Sequence, residues 1–163
     1  MSLLDVQNLC VSIEGKQVLK NLSININPGE THVLMGPNGA GKSTLGNALM
    51  GNPVYSIQDG KIIFNSKDLT SEKTDVRAKE GMFMSFQNPL EVPGISLETF
   101  IRSSIQQRTG ERVKLFQFQK ELKACMNLLN MDSSYASREL NVGFSGGERK
   151  KSEILQLLML KPK

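Results

Sequence analysis

The nine residues 36–44, GPNGAGKST, constrain this 163-residue chain more than any other stretch. Gly36, Gly41, Lys42 and Ser43 fall on the defining positions of a phosphate-binding loop, G-x-x-x-x-G-K-[ST]. Such a loop must turn several backbone N–H groups inward around a polyanion, and glycines allow the turn because a Cβ would crowd the approach. Pro37, Asn38, Gly39 and Ala40 form the interior of the loop, and Thr44 follows it. Lys42 is placed to reach the β- and γ-phosphates of a nucleotide, and the Ser43 hydroxyl to ligate Mg²⁺. The flanks fit. Residues 31–35, THVLM, predict a short buried strand. Leu45, Ala48 and Leu49 recur at helical spacing, and Gly51 with Pro53 gives a stop signal. The helix would add its positive end to the anion site.

Length allows one domain, with room for a lobe inserted in it. An apolar content of 39% and a charged content of 22% suit a globular protein. The net charge of +4 fits a phosphate ligand or acidic partner, but a solvated surface is the commoner explanation. No basic stripe interleaved with aromatics argues for nucleic acid. Cys10 and Cys125 are far apart and form no C-x-x-C, which predicts two packed, reduced thiols and no metal site. The longest apolar run, residues 154–160, is interrupted by Gln156 and is too short to cross a membrane. These features predict a cytoplasmic chain that does not insert into the bilayer.

Along the chain, residues 3–13 alternate loosely before Glu14-Gly15, and Leu22, Ile24 and Ile26 alternate cleanly before Pro28-Gly29. Antiparallel strands beside the nucleotide site are expected here. Residues 60–64 predict a further short strand, 65–80 a polar connection, and 81–87, GMFMSFQ, another buried strand. Pro89, Pro93 and Gly94 predict a loop. Ser96 can then cap a helix carrying Leu97, Phe100, Ile101, Ser104 and Ile105 on one face, broken at Thr109-Gly110. A second helix carries Phe118, Leu122, Cys125 and Leu129.

Ser145, Gly146, Gly147 and Glu148 precede a third helix, with Ile154, Leu155, Leu157 and Leu158 as its expected apolar face. Two readings of this motif stand side by side. Ser145 with Glu148 three residues later is a capping box, and two glycines at a helix start also bare the backbone to an anion such as a γ-phosphate. A capped terminus can serve both ends.

A phosphate loop followed about a hundred residues later by S-G-G-[EQ] resembles an ATP-binding-cassette (ABC) ATPase. FQNPLEVPGIS at 86–96, NVGFSGGERKKSEILQ at 141–156, NPVY at 52–55 and GKIIF at 60–64 are similar to the ATPase of the SUF system of iron–sulfur cluster assembly. The resemblance implies an α/β P-loop NTPase of the ABC-ATPase type: a mixed sheet around the phosphate loop, with an inserted helical lobe. It implies a nucleotide-binding core over residues 1–87, Q-loop and helical lobe over 88–143, and signature motif and helix over 144–163. ATP and Mg²⁺ are the implied ligands, with Ser43 and Gln87 touching the metal and residues 36–44 the phosphates. Ser145, Gly146, Gly147 and Glu148 would act on the nucleotide of a partner in a head-to-tail dimer. SufB- and SufD-like scaffold proteins are the implied partners.

Some positions depart from cassette patterns. Ile13 falls where many cassettes stack an aromatic on adenine. His32, the only histidine, precedes the phosphate loop and suits packing or a surface hydrogen bond. The resemblance further implies a strand ending in Asp-Glu and a γ-phosphate-sensing histidine after residue 163, so no catalytic residue is assigned within this chain. These residues alone are expected to hydrolyse ATP very slowly or not at all. Three rival readings stay open: a non-hydrolysing nucleotide-binding or scaffold-interaction module, an ABC transporter's ATP-binding subunit, and another phosphate-loop class such as a GTPase. Against the last, the chain has no N-K-x-D guanine-reading motif.

Overall fold

Alternation in the first strand is loose for a reason that the computed structural model, which describes residues 2–163, makes plain. Strand β1, Leu4–Ile13, buries Leu4 and Val6, then Leu9 and Val11, so the inward phase slips from even to odd positions. The slip coincides with a break of register between Val6 and Leu9 against β2, Lys16–Ile26. Asn8 sits there in the left-handed region at φ 48°, a conformation Asn tolerates better than most residues. The expected antiparallel pairing is present, with Leu4 opposite Ile26 and Val6 opposite Ile24.

On its other edge β1 pairs antiparallel with β3, Tyr55–Phe64, twice the length expected from residues 60–64. A two-residue strand β4, Lys67–Asp68, completes a sheet in the order β2-β1-β3-β4. Helix α1, Lys42–Leu49, buries Leu45 and Ala48, and the strands bury Val6, Leu9, Val11 and Ile62. Its predicted stop holds: Met50 caps it, and Gly51 follows at φ 70°. These elements belong to the first of two compact units, Met1–Ala78 and Lys79–Lys163.

The stretch read as a polar connection hides a structural residue. Arg77, on helix α2, Thr74–Glu80, is only 1% exposed. Its guanidinium donates to the carbonyls of Ala48 and Leu49 at 2.8 Å, Glu72 at 2.8 Å and Thr70 at 2.9 Å. Two of these close the last turn of α1, where a cation opposes the helix dipole. Burial lowers the Arg77 pKa, and the Glu72 charge works against that shift. A Cβ on Gly51 would stand 2.8 Å from Arg77 Nε, so glycine is what lets the guanidinium pass.

In the second unit, β5, Val92–Ser96, pairs antiparallel with β6, Glu139–Leu140. This corrects the expected loop at Pro93-Gly94. Both residues lie on an edge strand, where a missing N–H is tolerated. Helix α3, Leu97–Thr109, is capped by Ser96 and ended by Gly110 at φ 72°, as expected. Helix α4, Leu115–Leu128, buries Phe118, Leu122 and Met126; Cys125 is only half-buried. Helix α5, Gly146–Leu160, faces the core with Ser152, Leu155, Gln156 and Met159, while Ile154 is exposed. The expected apolar face is therefore rotated, and Gln156, taken as an interruption, is inside it.

Two predicted strands are absent. Residues 31–35 and 81–87 form no ladder, and Val33, Leu34 and Met35 are exposed. A strand exists only as a member of a ladder, and among the described residues none pairs with either segment.

Replacing Arg77 with Ala should strand the carbonyls it serves and cost about 2–4 kcal/mol of stability in denaturant unfolding. Arg77→Lys should recover only part of this, because one ammonium cannot reach all four carbonyls at once.

Candidate nucleotide-binding site

In the first unit the phosphate loop ends on Gly41, which caps α1 in the left-handed conformation at φ 91°. A Cβ there would lie 2.7 Å from Leu19 Cδ2 on β2, so the glycine is required both by its φ and by close packing on the sheet. Gly41 offers no side chain to cap the helix, which leaves the N–H groups of the first turn to an anion. Residues 36–40 are exposed, and the Ala40 N–H donates to the Pro37 carbonyl at 3.2 Å, closing the turn. Lys42 bends back over this loop: its Nζ donates to the carbonyls of Gly36 and Pro37 at 2.7 and 2.8 Å. The ammonium is thus tied to the first two residues of the loop.

Ser43 is exposed in the first turn of α1, whereas Thr44 is buried. Among the described residues no group of three His, Cys, Asp or Glu could hold a metal ion. A cation at this loop would therefore meet a hydroxyl and the oxygens of a bound phosphate. Hard oxygen donors of that kind fit Mg²⁺. His32 Nε2 lies 3.0 Å from Glu30 Oε2, the surface hydrogen bond expected of it.

In the second unit the signature segment is a complete capping box. The Ser145 hydroxyl accepts the Glu148 N–H at 3.4 Å, and the Ser145 N–H donates to Glu148 Oε2 at 2.7 Å. The capping-box reading is borne out, and the cap leaves Gly146 and Gly147 uncovered. Neither has a positive φ, and a Cβ built on either meets nothing within 4 Å. Gln87 and Gly146 open onto one cleft of about 260 Å³, together with Phe144, Arg149 and Lys150. Among the described residues no helix is long and apolar enough to cross a membrane.

A family model described as ABC transporter matches residues 19–163. The chain belongs to that family of ATP-binding cassettes. A Streptococcus pyogenes protein named as a probable ABC transporter ATP-binding protein is 44% identical over 165 residues, covering 100% of this chain and 64% of its own length. The Escherichia coli protein named "Probable ATP-dependent transporter SufC" is 42% identical over 164 residues, covering 98% of this chain and 66% of its own. The dimeric structure of MJ0796, a bacterial ABC transporter cassette, superimposes with a TM-score of 0.78 at 20% identity, over 98% of this chain and 70% of that one. The chain spans a little under two thirds of the length of the first curated relatives it matches. The cassette fold expected from the sequence is borne out.

Sequence reasoning missed the groups that brace the signature. Tyr135 donates its hydroxyl to Glu148 Oε1. Its ring meets Phe144 edge-on, 4.9 Å between centroids at 84°. Arg138 lies over both rings, 4.5 Å from the Tyr135 centroid and 4.8 Å from that of Phe144. No periodicity marks Tyr135 and Arg138, because they sit in a short 3₁₀ turn, Ser133–Ser137, and at its end. Glu153 was also overlooked. It is 5% exposed on α5, and its carboxylate accepts from Ser85, the Phe86 amide and Lys150. Burial pushes the Glu153 pKa up, but those three donors outweigh it and hold the carboxyl below its ordinary value.

Hydrogen bonds from Tyr135 first, then from Ser145, hold the Glu148 carboxyl down to about 2 from its ordinary 4.5. A lowered folded-state pKa means the cap's contribution is present above about pH 4.5 and is lost as pH falls toward 2. Acid unfolding followed over that window should flatten in Glu148→Gln, while the neutral-pH fold persists.

Proposed function

We propose that the chain is the nucleotide-binding part of a SUF-type cassette ATPase, coupling ATP binding and hydrolysis to iron–sulfur cluster assembly. Residues 36–44 bind the triphosphate, with Lys42 on the β- and γ-phosphates and the Ser43 hydroxyl as a ligand to Mg²⁺, which neutralises phosphate charge. Gln87, in the other unit, is proposed as the Mg²⁺-contacting glutamine on the resemblance alone. Ser145, Gly146, Gly147 and Glu148 act on the nucleotide of a second copy in a head-to-tail dimer. No base and no carboxylate metal ligand for hydrolysis is assigned among these residues. SufB- and SufD-like scaffolds are the proposed partners.

The observation that carries this reading is the pair Gly146-Gly147. Glycine is among the poorest helix formers, and here neither φ nor packing among the described residues requires it. A surface kept bare at that cost suits a group arriving from another molecule. The SUF part rests on the motifs at 86–96 and 141–156 and on likeness to the Escherichia coli SufC protein. A transporter's ATP-binding subunit is the second reading, favoured by the equally similar streptococcal proteins of that name. Co-purification of the full-length protein separates them: soluble scaffold proteins support the first reading, and an integral membrane partner the second.

Lys42→Ala should weaken Mg-ATP binding at least a hundredfold in a fluorescent-nucleotide titration, and retained affinity would refute the loop assignment. Gly147→Ala should hold or raise the melting temperature, leave ATP binding by the isolated subunit intact, and abolish ATP-driven pairing in sedimentation. An unchanged dimer would remove the signature from the mechanism.

A further inference from the structure

Residues 85–88 are an anomaly if packing alone is considered. They are exposed, belong to no ladder, and Phe86 leaves 53% of its surface open. Apolar burial does not fix this segment. Two side chains one turn apart on α5 do. Glu153 Oε1 accepts the Phe86 N–H at 2.9 Å, and Lys150 Nζ donates to the Phe86 carbonyl at 3.1 Å. Both backbone groups of the residue before Gln87 are therefore held by the helix that begins with the signature. Glu153 Oε2 also accepts from the Ser85 hydroxyl at 3.0 Å and from Lys150 at 2.7 Å, so the two clasping side chains orient each other.

The far side of Gln87 is tied to the same body. Arg149 of α5 pairs with Glu91, and the Asn141 side-chain amide donates to the Leu90 carbonyl at 2.9 Å. Gln87 thus lies in a short span pinned at both ends to α5 and the loop that precedes it. A buried carboxylate that takes three donors is costly to disturb, because each donor left behind becomes an unsatisfied group.

We propose that Glu153 and Lys150 are positioning residues that make the Gln87 loop and the signature helix one mechanical piece. On the proposed function, which this inference presupposes, Gln87 reads the chain's own nucleotide and Ser145-Gly146-Gly147 the partner's. The clasp then fixes the Gln87 loop on the signature helix, and neither clasping residue is assigned a contact with the nucleotide.

The test uses the full-length protein, Glu153→Gln, Lys150→Met and the double variant, read by Mg-ATP affinity, by kcat and KM for hydrolysis, and by hydrogen exchange of the Phe86 amide. Each single variant should lower kcat by on the order of tenfold to a hundredfold, with affinity and KM within about twofold. Phe86 exchange should quicken at least tenfold. The double variant should be no worse than the poorer single one, because either change opens the same clasp. Lys150 is half-exposed, so Lys150→Met keeps the test valid if Glu153→Gln does not fold. Normal kcat or unchanged Phe86 exchange in Lys150→Met, or losses that multiply in the double variant, would overturn the clasp while wild-type ATP binding leaves the proposed function standing. A wild-type protein that does not bind Mg-ATP would remove the proposed function and the clasp with it.

Discussion

Every backbone N–H and C=O taken out of water must find a partner, and at several places in this chain where no helix or ladder supplies one a charged side chain does. Arg77 serves the end of α1. Glu148 serves the start of α5. Glu153 and Lys150 serve the unladdered backbone at Phe86. Remove these and the apolar cores of both units remain, but the phosphate-loop helix, the signature helix and the Gln87 loop lose the contacts that set their geometry. The candidate site elements are therefore oriented by polar contacts, and the hydrophobic clusters are the scaffold behind them.

This division explains what could be read from the sequence. The capping box, the Ser96 cap, the Gly110 stop and the clean alternation of β2 are local signals, each set by the conformational needs of a few neighbouring residues. They were legible. Arg77 and Glu153 were not, because each acts on backbone far from it in sequence, 28 or 29 residues away for the α1 carbonyls and 67 for the Phe86 amide. Charged residues in polar or helical stretches look like solvent-facing ones until the fold brings the carbonyls and amides to them. A carboxylate in the middle of an apolar helix face, three residues after a lysine, was the one available hint.

The strand predictions failed in an instructive way. Residues 31–35 and 81–87 have the apolar composition of buried strands, yet neither is in a ladder. Composition reports what a segment would gain by pairing and says nothing of whether a neighbour is present. The rotated face of α5 is a related lesson. Gln156 was counted as polar and therefore outside, but its amide donates to the Ser152 hydroxyl one turn back at 3.4 Å, and a satisfied amide can sit in a core.

The guanidinium at the far end of α1 has a further electrostatic consequence. An eight-residue helix is about 12 Å long, so its two ends are separated by little more than a Debye length at physiological salt. A bare helix of that length presents opposite partial charges whose fields largely cancel a short way into solvent. With Arg77 neutralising the carboxyl end, the amino end is left as an unbalanced positive pole, to which Lys42 adds a full charge. The field of a pole falls off more slowly than that of a dipole, so a polyanion would be drawn in from farther away than the loop's own hydrogen bonds could reach.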